Sequence, residues 1–243
     1  MSDLQSCFKR YEKKYLLSPA QYEAVKRGMA PYMKPDAHPR YTICNLYYDT
    51  ANFDLIRASL EKPVYKEKLR LRSYGVPGSQ TPVFLELKKK FDGVVYKRRV
   101  TMKARDALRY LQGEQTGDGS QIGREIDWFL QFYRPEAKVL IAYDRQAFAA
   151  ADGSELRITF DTGLRARSDF LDLGRGDVGV PLLEEDLVLM EIKIPGAAPL
   201  WLAHLLSQLE AFQTSFSKYG HYYKQFVLGG KSAAIKKEVV RSA

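Results

Sequence analysis

Cations recur at every second position in several short stretches of this chain. Lys68, Arg70 and Arg72 alternate with Leu69 and Leu71, and Glu86, Lys88 and Lys90 with Leu85 and Leu87, while Lys97 stands two residues before Arg99. Arg157, Thr159 and Asp161 alternate with Leu156, Ile158 and Phe160, and Glu191 and Lys193 with Met190, Ile192 and Ile194. A less clean run sets Arg10, Glu12 and Lys14 against Tyr11 and Leu17. Successive side chains of an extended strand point to opposite faces, so each stretch gathers its charges on one face. Such faces suit dense negative charge, because Arg binds phosphate oxygens bidentately and Lys acts as a point charge. The interspersed Glu12, Glu86 and Glu191 do not fit pure anion binding. They point to oxygen ligands for Mg²⁺ or Mn²⁺, ions that take few carboxylates together with phosphate oxygens and water. For any one strand a solvated polar face is the ordinary outcome. Taken together, the strongly apolar opposite faces call for a sheet whose charged side is enclosed, where so many cations are costly without an anion.

The elements that must position these residues read as α+β, with a closed eight-stranded antiparallel β-barrel and helices packed outside. Alternation marks strands at Phe8–Leu17, Tyr41–Asp49, Val64–Tyr74, Pro82–Lys90, Val94–Thr101, Val139–Ala149, Glu155–Asp161 and Leu187–Ile194. About eight strands can close around a ligand-sized interior. Gly75-Val76-Pro77-Gly78-Ser79 separates the third run from the fourth, and Asp92-Gly93 joins the fourth to the fifth as a hairpin. Ser18 as N-cap and Pro19 at the first helical position open a helix through about Met29. Further helices are expected over Ala104–Leu111, over Gln121–Tyr133 and after Pro199, where Leu202, Leu205, Leu206, Leu209 and Phe212 form an apolar stripe. Residues 113–120 and 174–181 are Gly-rich loops. The domain is expected over residues 1–230, with 231–243 as a basic tail.

Composition bounds the partners. The 243 residues are 45% hydrophobic, enough for one sizeable core, and carry a formal net charge of +9, which calls for an anionic partner. Nucleic acid, an acidic membrane surface and a phosphorylated small molecule all satisfy charge alone. No apolar run reaches the roughly 18 residues of a membrane span, and the first twenty lack a signal-peptide core. A cytoplasmic location is expected, with Cys7 and Cys44 as free thiols. Gly174-Arg175-Gly176-Asp177-Val178-Gly179 has dinucleotide-fingerprint spacing but opens no helix and reads as a loop. His38, His204 and His221 are too scattered for a zinc site; His204 reads as a surface residue, and His221 has a minority reading at the mouth of a phosphate site. Arg165 and Arg167 extend the basic path or are solvated, and Trp128 and Trp201 read as core or cover. The 16 tyrosines fall mostly where strand propensity accounts for them, so base stacking is not called for and no nucleic acid is expected.

In order along the chain, Tyr11-Glu12-Lys13-Lys14-Tyr15, Leu46-Tyr47-Tyr48-Asp49-Thr50, Lys68-Leu69-Arg70-Leu71-Arg72-Ser73-Tyr74, Leu85-Glu86-Leu87-Lys88, Tyr96-Lys97-Arg98-Arg99, Tyr143-Asp144-Arg145, Leu156-Arg157-Ile158-Thr159-Phe160-Asp161-Thr162, Met190-Glu191-Ile192-Lys193 and Phe216-Ser217-Lys218-Tyr219 form a series. The series resembles the VTC domain, the polyphosphate polymerase domain of the vacuolar transporter chaperone complex, within the triphosphate tunnel (CYTH-like) superfamily. The resemblance implies an eight-stranded tunnel that takes a nucleoside triphosphate, typically ATP, and passes its terminal phosphoryl group to a growing polyphosphate. Carried over by position, Lys14, Arg70, Arg72, Lys88, Lys97, Arg99, Arg145, Arg157 and Lys218 would contact phosphates, with Lys193 beside them on its strand face. Glu191 would be the metal ligand, with Glu12 and Glu86 as weaker candidates for Mn²⁺ or Mg²⁺. Two departures bear on activity. Arg10 stands where smaller hydrolases and cyclases of the superfamily carry the first of two Glu, which favours the polymerase branch. The regulatory and membrane parts that surround the eukaryotic domain are not recognised, so export of the polymer is not expected. A triphosphatase and a non-catalytic polyphosphate-binding module are the alternatives.

Overall fold

The computed structural model of the chain describes residues 11–230, apart from 93, 116 and 185, and residue 233. Its strands are β1 (Tyr11–Leu17), β2 (Met33–Asp49), β3 (Tyr65–Tyr74), β4 (Pro82–Phe91), β5 (Val94–Lys103), β6 (Glu136–Ala150), β7 (Arg157–Arg167), β8 (Val180–Pro181), β9 (Val188–Ile194) and β10 (Gln213–Thr214). Its helices are α1 (Pro19–Met29), α2 (Asp54–Leu60), α3 (Ala104–Leu111), α4 (Gln121–Tyr133), α5 (Leu200–Gln208) and α6 (Lys218–Tyr222), followed by a π-helical segment over Tyr223–Leu228. The strands form one sheet in the order β10-β1-β9-β7-β6-β2-β3-β4-β5, with β8 against β7. The pairs β1–β10, β1–β9, β2–β3, β3–β4, β4–β5, β7–β8 and β7–β9 are antiparallel.

The antiparallel sheet with covering helices agrees with expectation; the count and the closure do not. Among the described residues the sheet has ten strands, and it is not closed but ends at β10 and β5. β8 and β10 are two residues each, too short to show any alternation. β2 starts eight residues before the expected Tyr41, and β7 runs on to Arg167 past the expected Asp161. The expected start of β1 at Phe8, and the tail apart from Ala233, lie outside the described residues.

The packed chain divides into two units. One holds the residues up to Tyr41 with Asp144–Thr162 and Leu183–Phe216; the other holds Thr42–Tyr143, Gly163–Leu182 and the residues from Ser217. In the first unit Leu17, Ile158, Phe160, Met190 and Ile192 pack with Val25, Met29 and Leu202, so α1 and α5 cover the apolar face of β1, β9 and β7. The helices can approach closely because Gly28 presents no side chain to Leu205, whose methyl would lie 2.6 Å from an added Cβ. The Ser18 capping box with Gln21 and Pro19 at the first turn start α1 as expected. In the second unit Leu69, Leu71, Leu85 and Leu87 pack with Ala107, Tyr110, Ile126 and Phe129, so α3 and α4 cover β3 and β4. Helices on the apolar faces leave the other face of each strand group to the charged residues.

Candidate phosphate and metal site

In the second unit the ladder registers turn the charged face into rows. Lys68, Lys88 and Lys97 stand directly across from one another on β3, β4 and β5. The next row is Tyr47, Arg70, Glu86 and Arg99, and the row beyond sets Arg72 beside Asn45 and Phe84. Like charges directly opposite destabilise a sheet, so the lysine row is tolerable only with counter-charge at hand. In the middle row that charge is Glu86, which is 1% exposed. Its Oε2 accepts from Arg70 Nε at 2.8 Å and Nη2 at 2.7 Å, with Arg72 Nε at 3.8 Å. Its Oε1 accepts from Lys97 Nζ and Arg99 Nε, each at 2.8 Å, and from Arg99 Nη2. Burial alone would raise the Glu86 pKa, but Arg70, Arg72 and Lys97 outweigh it and hold the carboxyl far below the usual carboxylate range. Lys97 moves the other way: burial, with Arg72 and Arg99 adding to it, pulls its ammonium down to about 8 against the opposing pull of Glu86.

The C-terminal segment supplies the rest of this cluster. Ser217 caps α6 by accepting from Gly220 N at 3.2 Å and also accepts from Lys68 Nζ at 3.2 Å. Lys218 is buried with its Nζ 4.3 Å above the Tyr143 ring. Tyr219 stacks on Tyr47 at 4.9 Å, and Arg70 Nη1 donates to the Tyr47 phenol at 3.3 Å. Tyr219 donates its phenol proton to Asp49 Oδ2 at 2.8 Å, while Asp49 also accepts from the backbone N–H groups of Leu55 and Ile56 at the start of α2. Burial raises the Asp49 pKa, those hydrogen bonds notwithstanding.

In the first unit the face of β1, β9 and β7 carries two further rows. Lys14 stands opposite Glu191, which stands opposite Thr159; Glu12 stands opposite Lys193, which stands opposite Arg157. Arg145 from β6 donates to both Asp161 oxygens, at 2.6 and 2.7 Å, and through the same Nη2 to Glu191 Oε2 at 2.9 Å. Lys14 Nζ lies 3.6 Å from Glu191 Oε1 and 3.2 Å from Glu12, and it donates to the Phe216 carbonyl at 3.1 Å. Arg157 is more peripheral, 58% exposed and 3.3 Å from Asp36.

Each sequence-chosen residue thus lies in one of two clusters. Lys14, Glu12, Arg145, Arg157, Glu191 and Lys193 belong to the first unit; Arg70, Arg72, Glu86, Lys88, Lys97, Arg99 and Lys218 belong to the second. Sequence reading did not assign site roles to Asp161, Thr159, Asp49, Tyr47 or Tyr219. Asp161 and Thr159 could have been found from their places on the charged face of β7. Arg165 and Arg167 do not extend the path: Arg165 binds Asp177, and the buried Arg167 donates to the carbonyls of Phe170, Asp172, Gly176 and Val178. That clasp fixes the Gly174–Gly179 segment as a loop, with one 3₁₀ turn at Leu173–Arg175. Trp128 is corrected as well: it is 52% exposed and stacked on Phe132. His204 is exposed on α5, and His221 is half-buried on α6. Cys44 is a buried free thiol, and Cys7 lies outside the described residues.

Among the described residues no three of His, Cys, Asp and Glu stand together as a ready metal cage. The first-unit carboxylates still fit a hard cation of the Mg²⁺ type, which takes one or two carboxylates and completes its shell with water and phosphate oxygens. The pair of Glu191 Oε1 with Lys14, at 3.6 Å, is longer than the 2.9 Å bond from Arg145 to Oε2, which makes Oε1 the readier of these two oxygens to turn to it. Glu86 fits less well, because both its oxygens are taken by cations.

The same arrangement of an antiparallel sheet with covering helices is found in other solved structures. A Bacillus halodurans protein named as a candidate adenylate cyclase matches with a TM-score of 0.54 at 13% identity, over 85% of this chain and 92% of its own. A Hippeastrum protein named as a candidate adenylyl cyclase, and described as having a dominant triphosphatase activity, matches with a TM-score of 0.53 at 16% identity, over 94% of this chain and 98% of its own. At these identities the likeness is one of fold. The family model of the VTC domain matches residues 9–227, and the chain belongs to that family. No curated protein matches it. Among the described residues no helix is long and apolar enough to cross a membrane.

Proposed function

We propose that this protein is a metal-dependent polyphosphate polymerase that uses ATP or another nucleoside triphosphate. The observation that carries the reading is the Lys68–Lys88–Lys97 row beside the Arg70–Glu86–Arg99 row: cations in excess of the carboxylate on one face of β3, β4 and β5. A chain of phosphates supplies the missing charge with many acceptor oxygens. Membership of the VTC domain family supports the same reading. In the transfer, a terminal oxygen of the growing chain bonds to the γ-phosphorus as the bond from that phosphorus to the β–γ bridging oxygen breaks. ADP leaves with the bond's electron pair. Within the second unit Arg70, Arg72, Lys88, Lys97, Arg99 and Lys218, and within the first unit Lys14, Arg145, Arg157 and Lys193, would each neutralise phosphoryl charge, the main work such a transfer needs. Glu191, with Glu12 as a weaker candidate, would hold the Mn²⁺ or Mg²⁺, which supplies charge neutralisation at the phosphoryl oxygens when bound.

A triphosphatase is the second reading, favoured by the activity described for the Hippeastrum protein of the same fold. There water replaces the polymer as acceptor and its proton passes to solvent. Incubating the purified protein with ATP and Mn²⁺ or Mg²⁺ while following ADP, phosphate and polyphosphate separates the two. Polymer formed together with ADP is the expected result, and it should disappear in Glu191→Gln while binding of preformed polyphosphate remains. Free phosphate without polymer would replace the proposal with the hydrolase, and binding without turnover would leave a polyphosphate-binding module.

A further inference from the structure

The charged face of β3 and β4 carries aromatic rings at one end only. Tyr74 continues the alternation of Lys68, Arg70 and Arg72 on β3, and Phe84 that of Glu86 and Lys88 on β4, where it stands opposite Arg72. The two rings meet edge to face, with 5.5 Å between centroids and 74° between planes. Arg99 lies over the Phe84 ring, 4.5 Å from its centroid, while its Nε donates to Glu86 at 2.8 Å, so the ring and the cations share one side of the sheet. Beyond the lysine row, at the other end, the same face continues as Lys66, Lys90 and Val95, which carry no ring. A half-exposed tyrosine is ordinary on a strand. What distinguishes Tyr74 is its place: 47% exposed, it stands two residues from the buried Arg72. Its neighbour Gly75 borders open space, since a Cβ added there would meet no atom within 4 Å.

We infer that Tyr74 is the stacking platform for the base of a nucleoside triphosphate, so that the nucleotide lies with its base at this end and its terminal phosphate at the lysine row. The inference rests on the phosphate-binding reading above and adds the orientation of the nucleotide. Any nucleobase stacks on an aromatic side chain, because every base has a π-face. Phe84 steadies the arrangement: its ring packs against Tyr74 and carries Arg99, so one side chain holds both the platform and a phosphate-binding cation. A strand rises about 3.4 Å per residue, which sets Phe84 about 7 Å from the Glu86 row and about 14 Å from the Lys88 row along the sheet. The order of ring, arginines and lysines follows the order of base, inner phosphates and terminal phosphate in an extended nucleotide. The reverse orientation would set the base among Lys66, Lys90 and Val95, side chains without a ring to stack on. With the base at Tyr74, the growing polymer meets the terminal phosphate from the lysine end.

Tyr74→Leu removes the ring and keeps an apolar side chain, while Tyr74→Phe keeps the ring. Calorimetry with Mn²⁺ measures the affinity of both variants and of the wild-type protein for two ligands. One is tripolyphosphate; the other is the β,γ-imido analogue of ATP, which adds a nucleoside to a chain of three phosphates and resists transfer of the last one. Tyr74→Leu should bind the analogue about tenfold more weakly, the loss of one stacked base, and should bind tripolyphosphate as the wild type does. Tyr74→Phe should match the wild type with both ligands. Unchanged analogue affinity in Tyr74→Leu, equal weakening of both ligands, or a loss shared by Tyr74→Phe would each overturn the inference. So would a wild-type protein that binds tripolyphosphate but not the analogue. All four leave the phosphate-binding reading standing; only failure of the wild-type protein to bind tripolyphosphate would remove that reading, and the inference with it.

Discussion

Glu86→Gln tests whether the second-unit cations are assembled around an internal anion. The wild-type carboxylate is buried and accepts from Arg70, Arg99 and Lys97, with Arg72 Nε 3.8 Å away. Glutamine keeps one acceptor oxygen but turns an amide donor toward side chains that can only donate, and it removes the charge. Deleting one partner of a buried ion pair costs about 3–5 kcal/mol. The low end applies, since the Lys97 and Arg99 side chains are 43% and 34% exposed and solvent screens them in part. A loss of about 3 kcal/mol in a chain of this size lowers the melting temperature by roughly 6–12 °C. The same substitution frees four cations for an external anion. Tripolyphosphate should therefore bind the variant about tenfold more tightly, and each tenfold adds about 1.4 kcal/mol to ligand-dependent stabilisation. Thermal unfolding followed by circular dichroism, with and without tripolyphosphate, reads both effects. The expected pattern is a lower melting point without ligand and a larger rise with it than the wild type shows. An unchanged melting point combined with lost Mn²⁺-dependent binding would refute this reasoning and make Glu86 a metal ligand instead.

Two further outcomes follow from the same cation cluster and its supports. Lys97 titrates near 8 against an ordinary ammonium value of 10.5, chiefly through burial and then Arg72 and Arg99. Only its charged form attracts phosphate, so tripolyphosphate affinity should fall as pH rises through about 8, and Lys97→Arg should remove that inflection. The stability effect has the opposite sign: between the two values the unfolded chain binds more protons, so Lys97's contribution to stability rises with pH across that window. An affinity profile flat through that range would refute the assignment. Asp49→Asn should destabilise the chain by about 1–3 kcal/mol, because an amide at the Oδ2 position cannot accept from both Ile56 N and the Tyr219 phenol. Tripolyphosphate binding should weaken with it, since Tyr219 buttresses Tyr47 next to Lys218; a melting curve identical to the wild type would count against this role.

What the sequence revealed and what it hid divide along locality. Which residues share a face of β3, β4 or β9 depends only on a period of two, so Lys68, Arg70 and Arg72, or Glu191 and Lys193, could be grouped without coordinates. Which strand lies opposite, and in what register, depends on chain closure and packing; the row Lys68–Lys88–Lys97 exists only once β3, β4 and β5 are aligned. The charge state of each carboxylate belongs to that second kind of information. Glu86 and Glu191 look alike in sequence, each two residues before a lysine on an apolar-backed strand. Their surroundings set them apart: Glu86 is enclosed by arginines and a lysine from both flanking strands, while Glu191 is bonded firmly to Arg145 and pairs more loosely with Lys14. α2 was missed for a related reason. It starts after Phe53 in a left-handed conformation with no side-chain cap of its own, and its first free N–H groups are met by Asp49 from the end of β2. Asp49 also holds Tyr219, which sits 170 residues away in sequence and next to Lys218, so one buried carboxylate starts a helix and steadies part of the cation cluster at once. A residue with two such duties leaves no periodic trace, which is why pattern reading found the cations but not the groups that hold them in place.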